Sequence, residues 1–513
     1  MTAKQEDDDA TMEAPPANDD ADISFAERED DDDREDAAAA DVHVASSLDH
    51  SDLFSAVEES VISCRPLVDF FYHPNNNDDN SAAKLTTRQR RDVICNIVKS
   101  PKFNKTRARR LFSGLTPLLR KVVDEESYIP DQDDDGDVIV DANAASTLAV
   151  LYLRICAFLV DAYLDGLLKR QRKGTATSNN NNNKRVEVID EVFEVAEMLH
   201  DLLFPLQNCG KEGMTTQSAI FSMCENYWHG NFEDKELFVT QLIPLLLVKS
   251  LEDTAQKNDV KRLCSIRDAI DLLDFECESI TTLKNHLLRT VANPLFLQST
   301  EGKKFITHLF QVDASLVVDL HKAIKVQLFE AKRSILNAYG EIYYNAWKQS
   351  AETTKEDEEE EQGGEIQTSI EENALQDMMY FQIHAANPKI VSSIRIVLDK
   401  FYVNKKSPDV ESMLHRCYGP LLWRSLSATN ARVRLQAAVV LSDTFPLRDP
   451  DAGQEWTEAC VQKSVEALIS LMSDEVAAVR VAGSNATAKI LSEFWVAIPA
   501  NDIRKLLNRE LLR

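Results

Sequence analysis

Two stretches near the end of the chain decide its fold: 421–426 (LLWRSL) followed by 433–441 (VRLQAAVVL), and 467–472 (ALISLM) followed by 479–482 (VRVA). In each pair, apolar residues recur at helical spacing on both sides of a short polar turn, which predicts a helical hairpin. The two Val-Arg pairs lie 46 residues apart, and a period of about 40–47 residues is typical of HEAT and armadillo repeats. We therefore predict an all-α fold, an α-solenoid of HEAT-like helical hairpins, whose extended surface suits a binding scaffold.

The composition agrees with a helical chain that has enough apolar material for a large core. Of the 513 residues, 44% are hydrophobic, whereas only 14 are Gly and 16 are Pro, so residues that disfavour helices are scarce. From residue 186 onward, apolar side chains recur at intervals of three and four, and no stretch of any length alternates with the period of a strand.

The formal charge of −28 is concentrated in three acidic runs. Residues 1–50 carry a net charge of −15, residues 124–141 carry −9 and residues 352–372 carry −9, so the other 424 residues sum to +5. Blocks of like charge repel themselves and stay solvated. We interpret the runs as a tail and loops on a nearly neutral folded part; the alternative is that they screen a basic site of the same chain and compete with DNA there.

The cysteines and the apolar stretches predict a soluble intracellular protein. Nine Cys are dispersed without a Cys-x-x-Cys pair, a pattern typical of reduced thiols. The acidic N-terminus is unlike a signal or transit peptide. The apolar stretch 148–160 is interrupted by Arg154, and 242–248 is too short to span a bilayer.

These features divide the chain into six regions. They are a disordered acidic tail at 1–50, a helical block with a basic segment at 51–123, an acidic loop at 124–141, helical hairpins at 142–350 with a basic Asn-rich loop at 169–185, an acidic loop at 351–372, and a HEAT-repeat region at 373–513. We also predict long helices over 141–168 and 315–348. A helical pattern without a polar capping repeat runs to the last residue, so we expect the solenoid to continue beyond it.

The strongest local signal is a basic segment at 84–121, which carries a net +11 because Asp92 is its only acid. Its bases are Lys84, Arg88, Arg90, Arg91, Lys99, Lys102, Lys105, Arg107, Arg109, Arg110, Arg120 and Lys121. Neutralising several phosphates with such a cluster gives binding that is independent of sequence and falls with salt. No base-stacking aromatic pattern accompanies it, so we predict contact with the DNA backbone. The alternative is a solvated basic helix face that docks on acidic residues of the same chain, and the loop 169–185 is a weaker second candidate.

Four other residues have mainly structural interpretations. Arg434 and Arg480 begin the second helix of each hairpin, where an Arg contacts either a ligand or, as we favour, an acid or carbonyl of the next repeat. Trp347 and Trp423 lie on apolar helical faces, which favours core packing. Ser100 precedes Pro101 inside the basic segment, and a phosphate there would subtract charge from it.

The chain lacks the signatures of an enzyme. It contains neither a Gly-x-x-x-x-Gly-Lys-Ser/Thr phosphate loop nor a Gly-x-Gly-x-x-Gly motif. Cys209, Cys224 and His229 are spaced too irregularly for a usual zinc site. We predict no catalytic residues, no cofactor and no bound metal.

Several passages together resemble one known family. They are 301–305 (EGKKF), 341–348 (EIYYNAWK), 420–426 (PLLWRSL), and the Val-Arg pair at 433–434 followed by 445–450 (FPLRDP). The last combination is the most specific, and the whole set is similar to the G-type HEAT-repeat subunit of condensin II, a complex that organises chromosomes. The resemblance covers roughly 185–510 well and 84–123 loosely.

The resemblance implies a non-enzymatic subunit of the nucleus and chromosomes. Such a subunit would bind the kleisin of condensin II, act with the SMC ATPase pair and the second HEAT subunit, contact double-stranded DNA in chromatin, and support mitotic chromosome condensation and segregation. It does not place the kleisin-contacting residues.

Another α-solenoid scaffold remains an alternative, such as an importin-like carrier or a phosphatase scaffold. An acidic inner surface would favour a carrier, whereas the basic segment and the Phe-Pro-x-Arg-Asp-Pro passage favour condensin.

Overall fold

A computed structural model of the chain describes residues 50–60, 63–72, 87–100, 102–124, 143–174, 185–275, 277–356 and 361–511. Within these ranges the backbone forms helices and turns, and the only β pairing is an isolated bridge between Val186 and Phe232. The predicted all-α fold is therefore confirmed. Residues 1–49 of the predicted tail, 125–141 of the first acidic loop and 175–184 of the Asn-rich loop lie outside the described residues.

The described helices follow one another along the chain. They are α1 (His50–Glu59), α2 (Arg65–Tyr72), α3 (Thr87–Lys99), α4 (Lys105–Asp124), α5 (Asn143–Gly174), α6 (Asp190–Asp201), α7 (Gly210–His229), α8 (Leu242–Leu251), α9 (Lys257–Ser265), α10 (Thr281–Thr290), α11 (Pro294–Gln298), α12 (Thr300–Val312), α13 (Ala314–Gln327), α14 (Arg333–Glu356), α15 (Glu361–Thr368), α16 (Gln376–His384), α17 (Pro388–Val403), α18 (Pro408–Leu426), α19 (Ala431–Thr444), α20 (Gln454–Met472), α21 (Ala477–Phe494) and α22 (Ala500–Leu511). A π-helical segment, Ser369–Leu375, joins α15 to α16.

Helices pack chiefly on partners that are close in sequence. The most extensive contacts join α5 to α7, α14 to α17, and α19 to α21. One apolar core continues along the array from Leu53 on α1 to Leu506 on α22. Packing of this kind, in which units contact chiefly their neighbours, is the arrangement expected of a helical solenoid.

Side-chain caps explain where several helices of the second half begin. The Asn293, Asn387 and Asn430 side chains each accept a hydrogen bond from a backbone N–H in the first turn of α11, α17 and α19. In the first two cases a Pro follows the cap, at a position where its missing N–H has no helical partner to lose. These Asn residues therefore fix the turns between successive helices.

Two glycines permit close approaches between helices. A Cβ at Gly302 on α12 would lie 2.3 Å from the Phe296 carbonyl oxygen on α11, and one at Gly340 on α14 would lie 2.6 Å from the Val397 carbonyl oxygen on α17. Both obstacles are backbone atoms, so larger side chains would force the helices apart.

By length and composition, one described helix could cross a membrane: Thr147–Arg170 within α5, with a mean hydropathy of 1.7. However, 72% of its most apolar window is buried inside the fold. Arg154, in the middle of this helix, donates hydrogen bonds to the Thr216 hydroxyl at 3.1 Å and to the Glu212 carbonyl at 2.8 Å. We therefore interpret α5 as a core helix.

The acidic loop predicted at 351–372 is helical wherever the structure describes it. Helix α14 continues to Glu356, and helix resumes at Glu361. The reason is an apolar stripe inside the acidic run, because Ile366, Ile370 and Ala374 are all buried against the core. Their spacing of four residues is that of one helix face.

The predicted helix lengths were also wrong at two places. The helix predicted at 315–348 is divided into α13 and α14, with Leu328 buried at the break. The helix predicted at 141–168 extends to Gly174, so the first residues of the predicted basic loop 169–185 are helical.

Candidate nucleic-acid interface

The described bases of the basic segment lie on α3, on α4 and in the turn between them. The amphipathic helix α4 buries Leu111, Phe112, Leu115 and Leu119 completely. Its N-cap is Asn104, whose side-chain oxygen accepts a hydrogen bond from the Arg107 backbone N–H at 3.0 Å. Because the apolar stripe faces the core, the Lys and Arg side chains are directed to the opposite side.

Three arginines of α4 make ion pairs with glutamates of other helices. Arg110 pairs with Glu58 on α1, Arg109 pairs with Glu191 on α6 at 3.5 Å, and Arg120 pairs with Glu194 on α6. The three guanidinium groups remain largely exposed, so each pair adds little to stability. It does, however, place a carboxylate where a DNA phosphate would otherwise bind.

Two bases of α3 are also paired. Arg91 contacts Asp92 at 3.3 Å, and Lys99 contacts Asp165 on α5 at 2.9 Å. Although partial burial acts to raise it, the pKa of Asp165 is held below its usual range by the hydrogen bond and charge of Lys99, with help from Lys169. Asp165 is therefore ionised, and it offsets the positive charge at the end of α3.

Three further described bases lie close together in sequence around the start of α4. Lys102, Lys105 and Arg107, which we call the turn cluster, are exposed and have no acidic partner among the described residues. The turn is held in place because Arg170 of α5 donates hydrogen bonds to the carbonyl oxygens of Ser100 at 3.0 Å and Phe103 at 2.8 Å.

The turn cluster lies in sequence around the first turn of α4, a helix end that carries a partial positive charge even though Asn104 already accepts a hydrogen bond from the Arg107 backbone N–H. Arg107 also donates a side-chain hydrogen bond to the Lys102 backbone carbonyl oxygen at 3.0 Å, which holds the guanidinium against the turn. This arrangement has the chemistry of an anion site: three cations at the positive end of a helix.

The other bases of the segment do not add to this picture. Lys84 lies outside the described residues, as do the side chains of Arg88 and Arg90 on α3. Lys121, at the far end of α4, is exposed. Of the twelve predicted DNA-contacting bases, the structure thus brings together three without an acidic partner.

Arg434 on α19 contacts the next hairpin of the array. Its guanidinium donates two hydrogen bonds to Asp474 of the next hairpin, at 2.6 and 2.8 Å, and further bonds to the carbonyl oxygens of Ala428 and Thr429. The hydrogen bond from Arg434 lowers the pKa of Asp474. This bidentate geometry fixes the orientation of one hairpin on the next.

Arg480 repeats half of this pattern 46 residues later. It donates hydrogen bonds to the carbonyl oxygens of Asp474 and Glu475, both at 3.1 Å, which correspond to the two carbonyl contacts of Arg434. Both arginines therefore close the turn that precedes their own helix.

Trp347 and Trp423 both contact the apolar core. Trp347 on α14 is 2% exposed and donates its indole N–H to the Glu371 carboxylate at 2.9 Å. Trp423 on α18 is only partly buried, and the Lys463 ammonium lies 4.3 Å from its ring centroid.

Glu371, counted in the sequence as part of a solvated acidic run, lies at the centre of a buried network. The Arg416 guanidinium of α18 donates to both of its carboxylate oxygens, at 2.8 and 3.0 Å. The Trp347 indole of α14 donates a third side-chain hydrogen bond, and Gln367 donates a fourth at 3.2 Å. The π-helical segment that contains Glu371 is thereby fastened to both α14 and α18.

A second buried carboxylate, Asp443 at the end of α19, connects three successive hairpins. It accepts hydrogen bonds from Arg395 on α17 at 2.9 Å and from Lys489 on α21 at 2.7 Å. Lys405, in the turn after α17, donates to its backbone carbonyl at 3.0 Å. Only the Phe-Pro-x-Arg-Asp-Pro passage that follows marked this place in the sequence, and nothing there indicated the three cations.

The structure is an all-α array of helical hairpins, with arginine and carboxylate contacts at the turns. These features define the class of helical-repeat scaffold proteins. Residues 289–449 match the family described as condensin II non structural maintenance of chromosomes subunit.

Individual relatives agree with that match. The chain is 32% identical over 325 residues to condensin-2 complex subunit G2 of Homo sapiens, an alignment that covers 63% of this chain and 27% of the relative. It is 31% identical over 294 residues to the subunit of the same name from Xenopus laevis, covering 57% of this chain and 24% of the relative. The chain spans about a quarter of the length of these relatives. The resemblance to the condensin II subunit of G type is thus confirmed.

Among solved structures, an engineered protein aligns with 88% of this chain at 12% identity, with a TM-score of 0.21.

Proposed function

We propose that this protein is a non-catalytic scaffold subunit of condensin II that binds the kleisin subunit and contacts the DNA backbone. In this role it assembles with the SMC ATPase pair and the second HEAT subunit on chromosomes in the nucleus, and it supports mitotic condensation and segregation. The observation that carries the proposal is the family match over 289–449, together with relatives that are about 31% identical and are named as condensin-2 subunits.

The turn cluster is the part of the proposal that concerns DNA. Lys102, Lys105 and Arg107 are the described bases of the segment that meet no carboxylate, so phosphate binding there breaks no existing ion pair. With about three phosphates neutralised, the logarithm of the binding constant should fall against the logarithm of salt concentration with a slope of about −3. A cluster of the full twelve bases would give a much steeper slope.

The DNA contact is tested by anisotropy titration of a mixed-sequence duplex over a series of salt concentrations. Reversing Lys102, Lys105 and Arg107 to Glu should reduce the slope to near zero and abolish measurable binding at physiological salt.

The matched control reverses three exposed lysines elsewhere, Lys211, Lys257 and Lys261, and so changes the net charge by the same amount. This control should retain the slope. Equal losses in both variants would mean that overall charge, and not the turn cluster, is responsible for binding.

The assembly role is tested by affinity purification of the tagged chain from nuclear extract with identification of bound proteins. Recovery of the kleisin and the SMC pair in stoichiometric amounts is the expected result. A preparation that instead contains phosphatase subunits or transport cargo, with neither condensin component, would contradict the proposal.

A further inference from the structure

Three large apolar side chains are exposed around the end of α13 and on α16. Val326 is 74% exposed, and Phe329 and Tyr380 are each 45% exposed. Scattered single apolar residues need no explanation, but a group of them on one surface marks a contact site.

Side-chain contacts link the exposed aromatic residues to neighbouring elements in two groups, one around Phe329 and one around Tyr380. The Lys389 ammonium of α17 lies 5.6 Å from the Phe329 ring centroid. The Lys325 ammonium, next to Val326 in sequence, lies 3.7 Å from the Phe381 ring centroid, and that ring is 6.0 Å from the Tyr380 ring. We call Lys325, Val326, Phe329, Tyr380, Phe381 and Lys389 the aromatic edge.

The rim of the aromatic edge is positively charged. Lys325 is neutralised by Asp377, whose carboxylate it contacts at 2.6 Å. In contrast, Lys332, Arg333 and Lys389 are exposed and have no acidic partner within the described part of the chain. Glu330 is the one exposed acid in the turn between α13 and α14. An incoming group that carries carboxylates is therefore favoured over a neutral or basic one.

The geometry favours a peptide over a nucleic acid. Nucleobases bind proteins by stacking on open aromatic faces, but ammonium groups lie over the rings of Phe381 and Phe329. Apolar side chains can instead pack on the exposed ring edges and on Val326, while carboxylates on either side of them reach the lysines.

We propose that the aromatic edge binds a segment of a partner protein in which an aromatic or aliphatic side chain is flanked by Asp or Glu residues. The binding is independent of the DNA contact, because the turn cluster lies around the start of α4, whereas the aromatic edge lies on α13, α16, α17 and the turn after α13. The edge also falls within 289–449, the part of the chain that matches the condensin II family model.

The proposal is tested with a display library of random short peptides selected on the full chain. Enriched peptides should share an apolar residue flanked by Asp or Glu. A labelled synthetic copy should bind with an affinity that Phe329→Ala weakens at least about tenfold, as expected when one anchor of an interface is removed. Val481→Ala, at a residue 59% exposed on α21, is the matched control and should leave the affinity unchanged.

A charge exchange makes the test specific. Lys389→Glu should reduce the affinity for the acidic peptide by a similar factor. The same variant should bind more tightly a copy of the peptide in which Lys replaces Asp and Glu. Failure of the library to enrich any such motif would overturn the proposal, as would equal binding by wild type, Phe329→Ala and Lys389→Glu. Binding of a single-stranded oligonucleotide that is lost in Phe329→Ala would assign the edge to nucleic acid instead.

Discussion

Replacing Glu371 by Ala should loosen the junction between the π-helical segment, α14 and α18. The substitution removes the acceptor of the Trp347 indole N–H, which is buried, and the carboxylate that Arg416 binds with two hydrogen bonds. The Arg416 side chain is 48% exposed, so water can replace part of what it loses, whereas the indole N–H has no such replacement.

The expected loss is about 3 kcal/mol of local stability. A buried donor left without a partner costs about 1–3 kcal/mol, and hydrogen bonds to a charged group contribute about 1.5–3 kcal/mol. The contribution of the two Arg416 hydrogen bonds must be reduced, because the Arg416 guanidinium is half exposed and screened by solvent.

Amide hydrogen exchange measured by mass spectrometry is the appropriate assay. A repeat array does not unfold in a single two-state step, but exchange reports local opening of a chosen segment. A loss of about 3 kcal/mol should raise the exchange rate of slow amides in peptides covering α14 and 369–375 by about 100-fold.

Glu372→Ala is the matched control, because it removes the same charge from an exposed neighbour. That variant should change exchange by less than about threefold, since exposed substitutions usually stay within about 0.5 kcal/mol. If the two variants exchange alike, Glu371 does not hold this junction and the reasoning is wrong.

Further variants test packing, acid sensitivity and the inter-repeat contact. Gly302→Ala should destabilise the chain by about 1–3 kcal/mol, because the added Cβ would clash with backbone atoms of α11. At Gly364 an added Cβ would have no other atom within 4 Å, so Gly364→Ala should stabilise its helix by about 1 kcal/mol, measured by thermal unfolding. Burial lowers the pKa of His200, so in mildly acidic solution the imidazole is protonated in the unfolded chain but not in the folded chain. The free energy of unfolding should therefore fall as the pH drops below about 6.5. His200→Gln should show a smaller decrease in melting temperature between neutral pH and pH 5.5 than the wild type. Asp474→Ala should increase amide hydrogen exchange in the turn before α21. In the wild type, the ion pair between Asp474 and Arg434 should persist until the pH falls below about 4, because the pKa of Asp474 is lowered.

Periodicity was sufficient to predict the helical hairpins, because the core of a repeat array is built from short-range patterns. From the spacing of Arg434 and Arg480 we expected each to contact an acid or carbonyl of the next repeat. Arg434 reaches Asp474 of the next hairpin, whereas the hydrogen bonds described for Arg480 go to carbonyl oxygens of the turn before its own helix. The break between α13 and α14 was not predictable in this way, since no Gly or Pro marks it and tertiary packing of Leu328 decides it.

The net charge of a stretch of sequence was the least reliable basis for predicting which side chains are exposed to solvent. It treated the carboxylates at 352–372 as equally solvated, whereas Glu371 shares a helix face with buried Ile370 and Ala374 and faces the core. It also overstated the basic segment, because the partners of Arg109, Arg110 and Arg120 lie 52 to 82 residues away in sequence. Pairing over such distances depends on the fold and cannot be inferred from local composition.

The contacts of Asp443 have a mechanical consequence. In some repeat arrays each hairpin contacts only the next one. Such an array can bend at each junction between hairpins independently of the others. Arg395 and Lys489 belong to hairpins that are not neighbours, yet both hold the same carboxylate. Bending at either junction therefore strains the other, and under tension these three hairpins should flex as one stiff rod within a more compliant chain.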